Sequence, residues 1–345
     1  MRIAVVFDTP YTGWTAERHR KQMQDEMAGT VDVPDVEVEY QVTAALEANG
    51  HETLMIGVYD DLRVVLDACL EWKPDLVVNC AEAFRDPRND YVFPALLDSI
   101  GVRYTGSPAQ GLLVSRDKAM SKKVLAYHGI RVPGFTTFRL GETVSEAPTM
   151  PFPLIVKPLS SDASVGIAQA SVVNDVASLA ERVGFVHQRY QQPAIVEEFV
   201  AGRELYAGVL GNGPGLQVLP LTELVFDKEM NAPEERIATS STKWDEPYRL
   251  RRRIRYQFAR PVSAAAREQI EWICRTACRA LWLCDYARID VRLTDNDEVW
   301  VLEANANPYI SEGHEFANSA EKIGLDYHQL IERIVTDAMA RYANA

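Results

Sequence analysis

The residue types best suited to chemistry crowd into Arg288 to Pro308, which reads RIDVRLTDNDEVWVLEANANP. Ala287, Ile289, Val291 and Leu293 alternate with Arg288, Asp290 and Arg292, and a second alternating run covers Val299 to Asn305, so a hairpin is expected. With Asp295 and Asn296 as a two-residue loop, Asp290 stands opposite Val301 and diagonal to Glu303. Arg288, Asp290, Glu303 and Asn305 then share one face. Two carboxylates and an amide oxygen suit a hard divalent ion, and Mg2+ in such places keeps waters and bridges to substrate phosphates. For the hairpin alone, a solvated polar face is the alternative.

Lys118 lies in SRDKAMSKKVL, a run that predicts a helix capped by Ser115 and ended by Gly129. Lys157 closes a strand from Leu154 and leads into KPLSSDASVGI. There, small residues and Gly166 let backbone N–H groups approach an anion while the lysine adds a point charge. A P-loop has the opposite order, its lysine following the last glycine and opening a helix. Phosphate binding and a plain hairpin turn both explain the run. Glu197, Glu198 and Glu204 cluster around one turn between two further strands, where solvated carboxylates are the bland alternative.

Positioning these groups falls to a chain of 345 residues, which exceeds one ordinary core and implies two or three domains. Hydrophobic residues at 47% and charged residues at 25% suit a soluble globular protein, and no apolar run is long enough for a bilayer. Met1 runs straight into RIAVVFD, a strand rather than a leader, so a cytoplasmic protein is expected. A net charge of -13 argues against a nucleic-acid or membrane surface; Arg249 to Arg255 is the one basic run. The five cysteines have no paired metal-ligand spacing and are expected to be reduced, with Cys274 and Cys278 on the buried stripe of a helix from Ser263 to Trp282.

From the start, strand and helix alternate: RIAVVFD, a helix ending at Gly50, a strand from Thr53, a helix near 61–72, a strand from Asp75 to Cys80, a helix from Val92 to Ile100 and a short strand VRYT. That order implies a parallel sheet covered by helices, with Asp8, Asn79 and Cys80 at its carboxyl ends near a cleft. No GxGxxG follows the first strand, so a dinucleotide fold is not supported. The polar insertion between Thr9 and Asp35 reads as a mobile flap or a solvated surface helix. Residues 226–262 carry mixed charge with little periodicity and read as a long loop over the site. Tyr327 to Ala340 reads as a packing helix.

Together these residues resemble the D-alanine:D-alanine ligase branch of the ATP-grasp family, from about Phe93 to Leu330. The likeness rests on an arginine, an aspartate two residues on, a glutamate thirteen further and an asparagine two beyond, here Arg288, Asp290, Glu303 and Asn305. It implies an α/β fold class, with a Rossmann-like parallel-sheet domain over 1–110 followed by a two-lobed ATP-grasp fold over 111–200 and 201–345. It further implies that Lys118 and Lys157 bind nucleotide phosphates and that Ser161, Ser164, Val165 and Gly166 belong to a flexible loop above them. Glu197, the backbone of Glu198 and Val200, and the Glu204 carboxylate would hold adenine and ribose. Lys243 would reach the terminal phosphate from the 226–262 loop, with Trp244 beside the second substrate. The implied cofactors are ATP and Mg2+, with Mn2+ as its substitute, the metal held by Asp290, Glu303 and Asn305. In the implied reaction ATP phosphorylates a carboxylate, an amine attacks the acyl phosphate, and Arg288 steadies the oxyanion. The implied partners are small carboxylate and amine substrates, amino acids among them, and a second copy docked through the first domain.

Departures from the family concern substrate. DTPYTGW from Asp8 stands where the family has a glycine-rich loop containing a glutamate. From Asn307 the chain reads NPYISEGHE, with Tyr309 in a glycine's place and His314 in a serine's, and both are assigned to the substrate pocket. The leading expectation is an ATP-dependent carboxylate–amine ligase that forms a peptide or other amide and is not the cell-wall enzyme. The alternatives are that enzyme with a rewired pocket, and an ATP-binding regulatory protein without turnover.

Overall fold

The computed structural model describes residues 1–9, 38–81 and 86–343. The expected flap lies outside the described residues from position 10 on. Strand β1 (Arg2–Asp8) is buried on both faces from Ile3 to Phe7, as a central parallel strand must be. It pairs in parallel with β2 (Glu52–Val58) and β3 (Leu76–Asn79), in the order β2-β1-β3. The expected VRYT strand reduces to one bridge, Val77 to Tyr104, because Gly106 at φ 86° turns the chain away. Asn79 is buried: its Oδ1 accepts from Ala81 N at 3.2 Å and its backbone N–H reaches Thr105 Oγ1 at 3.2 Å, while its Nδ2 takes no hydrogen bond among the described residues. One face of this sheet shares a core with the helix Tyr327–Ala343, through Val5, Leu46, Leu330 and Ile334.

Ser115 does not cap the Lys118 helix. Two helices, Ala109–Arg116 and Lys118–Tyr127, meet at Asp117, whose carboxylate accepts from Met120 N at 2.8 Å. An aspartate cap of this kind contributes about 1 kcal/mol. Ser115 Oγ instead donates back to Gly111 O at 2.6 Å, as a serine inside a helix does.

Strands β4 (Phe135–Phe138), β5 (Leu154–Pro158), β6 (Val172–Val173) and β7 (Ala194–Glu198) form an antiparallel sheet in the order β4-β7-β5-β6. The helix Val176–Tyr190 covers it through Leu179, Val183 and Val186. A third sheet follows the order β11-β10-β8-β12-β13. Its strands are β8 (Arg203–Leu210), β10 (Thr222–Val225), β11 (Arg255–Phe258), β12 (Tyr286–Leu293) and β13 (Val299–Asn305), with β9 (Gln217–Val218) on β8. Beneath it lies the helix Ala264–Ala280, capped by Ser263; Ile270, Ile273 and Cys274 pack on Ile289, Val291 and Val301. Each such fully buried aliphatic chain contributes about 1.5–3 kcal/mol. All five cysteines are free, and burial pushes the Cys278 thiol up to about 12.

Residues 226–262 are not the structureless loop expected. They hold the helices Ser240–Trp244 and Glu246–Arg252 and the edge strand β11, around a small core of Tyr206, Leu224 and Ile254. Short elements of five and seven residues leave too few turns for a period to register.

Candidate active site

Strand register in the third sheet lines up the polar groups. Thr222 pairs with Tyr206, Tyr206 with Asp290, and Asp290 with Glu303, and directly paired residues project to the same face. One step along, Arg288 pairs with Asn305, and in the other direction Arg292 pairs with Glu204.

The hairpin register corrects the expected one. Asp295 and Asn296 do not form a two-residue loop: Thr294 N still bonds Glu298 O at 3.0 Å, and Asp297 takes a left-handed φ of 60°. A bulge at Asp290/Val291 then sets Asp290 directly against Glu303 and Val291 against Val301, leaving Leu302 as the extra residue. Leu302 and Glu303 both line the cleft, while Val301 stays in the core. The sequence carried this signal, because strict alternation from Val299 would have turned Glu303 inward with Val301.

Four lysines, Lys118, Lys122, Lys157 and Lys243, gather around these acids and Glu197. Lys118 Nζ lies 2.6 Å from Glu303 Oε1, 2.6 Å from Ser161 O and 3.8 Å from Asp162. Burial alone would favour loss of its proton, but Glu303 and then Asp162 hold the ammonium charged beyond its usual range. Lys157 Nζ sits 2.7 Å from Glu197 Oε2. Lys122, one helical turn past Lys118, reaches Glu197 Oε1 at 3.3 Å and also donates to Leu302 O. For Lys122 burial prevails over Glu197, so its pKa falls, whereas burial of Glu197 is outweighed by the two lysines and its pKa falls too. Lys243, at the end of its helix, lines the same cleft together with Ser164, Ile155, Ile167, Ile237 and Glu204. The cleft encloses about 60 Å3 and opens to solvent.

Arg288 grips Asp290 with both ends of its fork, Nε to Oδ1 at 2.7 Å and one terminal nitrogen to Oδ2 at 2.9 Å. Its guanidinium lies 5.2 Å over the Tyr206 ring. Asn305 Nδ2 donates to Arg288 O at 3.3 Å, which leaves its Oδ1 for another partner. Glu204 has both oxygens engaged, by Tyr206 OH at 2.9 Å and Arg292 at 2.9 Å.

Across the cleft, Ser161 Oγ accepts from Gln192 at 2.7 Å, and Ala163 and Ser164 hold φ of 52° and 61°. Val165 is exposed. Gly166 is required twice over: its φ is 77°, and a Cβ there would stand 2.5 Å from Pro158. Trp244 lies against this loop, its indole donating to Ala163 O at 3.2 Å, and Ser240 N bonds Ile167 O at 3.0 Å.

Glu198 and Val200 line a separate cavity of about 290 Å3 with Phe152, Pro153 and Trp300. The Glu198 carboxylate accepts from Gly134 N at 2.9 Å. Tyr309 and His314 pack edge to face 4.9 Å apart, and neither lines the lysine cleft. Sequence reasoning missed Lys122, Arg292 and Glu315. The first two were detectable, Lys122 by its i,i+4 spacing from Lys118 and Arg292 by alternation from Asp290.

Among the described residues no group of three or more His, Cys, Asp and Glu is placed to hold a metal. Asp290, Glu303 and Asn305 nonetheless make a hard-oxygen donor set on one face, and such a set fits Mg2+. Both carboxylates already carry a cationic partner, Arg288 and Lys118, with which a metal would share them.

Comparison with known proteins agrees with this geometry. The family described as D-ala D-ala ligase C-terminus matches residues 124–336. An uncharacterized protein, y4sG, of Sinorhizobium fredii is 30% identical over 99% of this chain and 98% of its own length. A D-alanine–D-alanine ligase of Bordetella petrii is 29% identical over 73% of each chain. A D-alanine–D-alanine ligase from Bacillus anthracis, solved in complex with ATP, superposes over 100% of both chains with a TM-score of 0.72 at 20% identity. VanG D-Ala:D-Ser ligase from Enterococcus faecalis covers 98% of this chain and 99% of its own, with a TM-score of 0.68 at 19% identity.

Proposed function

The chain belongs to the D-ala D-ala ligase C-terminus family, and from that membership we propose that its cleft joins a small carboxylate to an amine, with ATP converted to ADP and phosphate through an acyl phosphate. The observation that carries this reading is the single sheet face of Arg288, Asp290, Glu303 and Asn305, facing Lys118, Lys157 and Lys243. Phosphoryl transfer is driven mainly by positioning and charge stabilisation, which such a face is built to supply.

Lys118, Lys157 and Lys243 take the phosphates, beneath the Ser161–Gly166 loop with Ser164 and Val165. Ile155, Leu302 and Ile237 make the apolar floor, with Glu197, Glu204 and the backbone of Glu198 and Val200 around adenine and ribose. Asp290, Glu303 and Asn305 hold Mg2+, which when bound supplies positive charge to the phosphate oxygens. Arg288, held flat by Asp290, offers its remaining N–H group to the oxyanion that develops when the amine attacks. Tyr309, His314 and Trp244 are the proposed contacts to the second substrate. Domains over 1–110, 111–200 and 201–345, and pairing of two copies through the first, belong to the same proposal. Cytoplasmic residence is supported by five unpaired cysteines; no helix among the described residues is long and apolar enough to cross a membrane.

A D-alanine–D-alanine product is the second reading, favoured by the names of the relatives. ADP release should be measured with ATP and Mg2+ across acids and amines, singly and in pairs. Release that depends on two components is expected; release indifferent to the second component, or none with any pair, would overturn the ligase reading.

A further inference from the structure

Arg116 ends the helix Ala109–Arg116, two positions before Lys118, and its side chain joins two parts of the chain. Nε donates to Asp90 Oδ2 at 3.1 Å, and Nη1 lies 2.8 Å from Asp162 Oδ2 in the Ser161–Gly166 loop. The Arg116 and Asp90 side chains are 12% and 8% exposed and that of Asp162 is 40% exposed, so the guanidinium is held from the interior and the loop carboxylate is the member able to move. Burial raises the Asp90 carboxyl against the pull of Arg116, and Asp162 adds to the rise.

An ammonium has three N–H donors. On Lys118 two of them are spent on Glu303 Oε1 and Ser161 O, each at 2.6 Å. Asp162 Oδ1 stands 3.8 Å from the same nitrogen, beyond hydrogen-bond reach, so the third donor is not committed to it. Glu303 is the largest acidic influence on the Lys118 charge, Asp162 the next and Glu197 the third, while Lys243 and Lys157 act on Glu303. Nearby the loop backbone is fixed: Val165 N bonds Asp162 O at 3.0 Å, and the Trp244 indole holds Ala163 O. The choice of Asp162 between Arg116 and Lys118 is therefore made by side-chain torsion.

We propose that Arg116 is a positioning residue of the phosphate site: it holds the Asp162 carboxylate off Lys118 and so keeps the third Lys118 donor for a nucleotide phosphate. This rests on the nucleotide part of the ligase reading. Without the guanidinium, a turn of the Asp162 side chain brings its carboxylate onto Lys118, where it competes with phosphate for the donor and repels it as well.

The test uses the full chain and a non-hydrolysable ATP analogue with Mg2+, the Kd being read by calorimetry at low and at high salt. The wild type should bind; no binding at either salt would overturn the nucleotide reading itself. Arg116→Met should weaken binding by about fivefold or more at low salt, and the deficit should shrink as salt screens the repulsion. Asp162→Asn should bind at least as tightly as the wild type, and adding it to Arg116→Met should restore affinity to within about twofold. A packing defect left by the missing side chain is not repaired by a substitution on the loop, and neither is the loss of a direct Arg116 contact to phosphate. Unchanged affinity in folded Arg116→Met, or a deficit that persists in the double variant, would overturn the role of Arg116 and leave nucleotide binding standing. If Arg116→Met fails to fold, Arg116→Gln, which keeps a donor for Asp90, takes its place in the same cycle. Should both fail, Asp162→Asn alone decides: weaker binding than the wild type overturns the proposal, and binding at least as tight upholds it.

Discussion

At the scale of single residues, burial acts on every charge in the cleft, and each partner decides the outcome. Lys118 and Lys122 lie four residues apart on one helix and are both buried, yet Glu303 keeps the first charged while burial lowers the second. Breaking a buried pair costs about 3–5 kcal/mol, whereas replacing a buried charge that has a redundant partner costs far less. Glu197→Gln should therefore lower unfolding free energy by about 3 kcal/mol, near the low end because the amide keeps one acceptor. Lys122→Met, which leaves Glu197 its Lys157, should cost less than half as much. Denaturant titration of both variants checks the order, and the reverse ranking would refute the account of the pair. For Asp290→Asn, ADP formation should fall by about 100-fold or more in a protein that still folds, since the amide cannot balance a metal and Arg288 together. Near-normal turnover at saturating Mg2+ would remove Asp290 from the metal site.

Elements place these groups, and two of them do so through irregularity. The bulge in the β12–β13 hairpin brings Asp290 and Glu303 face to face. The 226–262 segment docks on the phosphate-loop candidate through Trp244 to Ala163 O and Ser240 to Ile167 O. Lys243 rides on that segment, so Lys243→Ala should lower kcat by at least about tenfold while ATP affinity stays nearly constant, because Lys118 and Lys157 remain. Trp244→Ala loosens the docking and should increase ATP hydrolysis without product. Proteolysis gives a separate check: cleavage within 226–262 should slow when ATP analogue, Mg2+ and acid substrate are added together. Unchanged cleavage together with normal turnover by Lys243→Ala would reduce the segment to a surface excursion.

For the whole molecule, acid stability is set partly by Glu223. Its burial would raise the carboxyl, but hydrogen bonds from Arg203 and Arg260 bring it down to about 2. These partners tie β8 and β10 to the chain after β11. A carboxyl lowered on folding stabilises the fold above its unfolded pKa, and that stability is lost as pH falls through 4.5 towards 2. Allowing for solvent around half-exposed Arg260, the contribution is on the order of 2 kcal/mol. Glu223→Gln should flatten the stability profile between these limits; an unaltered acid limb would contradict the assignment. On substrate, the whole protein should form D-alanyl-D-alanine poorly at millimolar D-alanine, because DTPYTGW from Asp8 stands in place of the family's glutamate-containing loop and leaves an ammonium without its carboxylate. Efficient synthesis would promote the second reading.

The sequence by itself determined the parts governed by local pattern. Alternation marked β12 and β13, the buried run Ile3–Phe7 marked a central parallel strand, and the Arg288, Asp290, Glu303, Asn305 spacing pointed to the right sheet face. Tertiary structure alone decided which side chains meet across long separations. Lys118 meets Glu303 across a separation of 185 in numbering (303 minus 118), and Glu315 meets Thr222, on another strand, across 93 (315 minus 222). The bulge was legible in part, as Leu302 and Glu303 break alternation. The fold of 226–262 was not, since short elements packed on a neighbouring loop take their shape from that contact rather than from a period of their own. Charge balance around Arg288 is likewise a property of distances in space, which residue spacing along a chain does not encode.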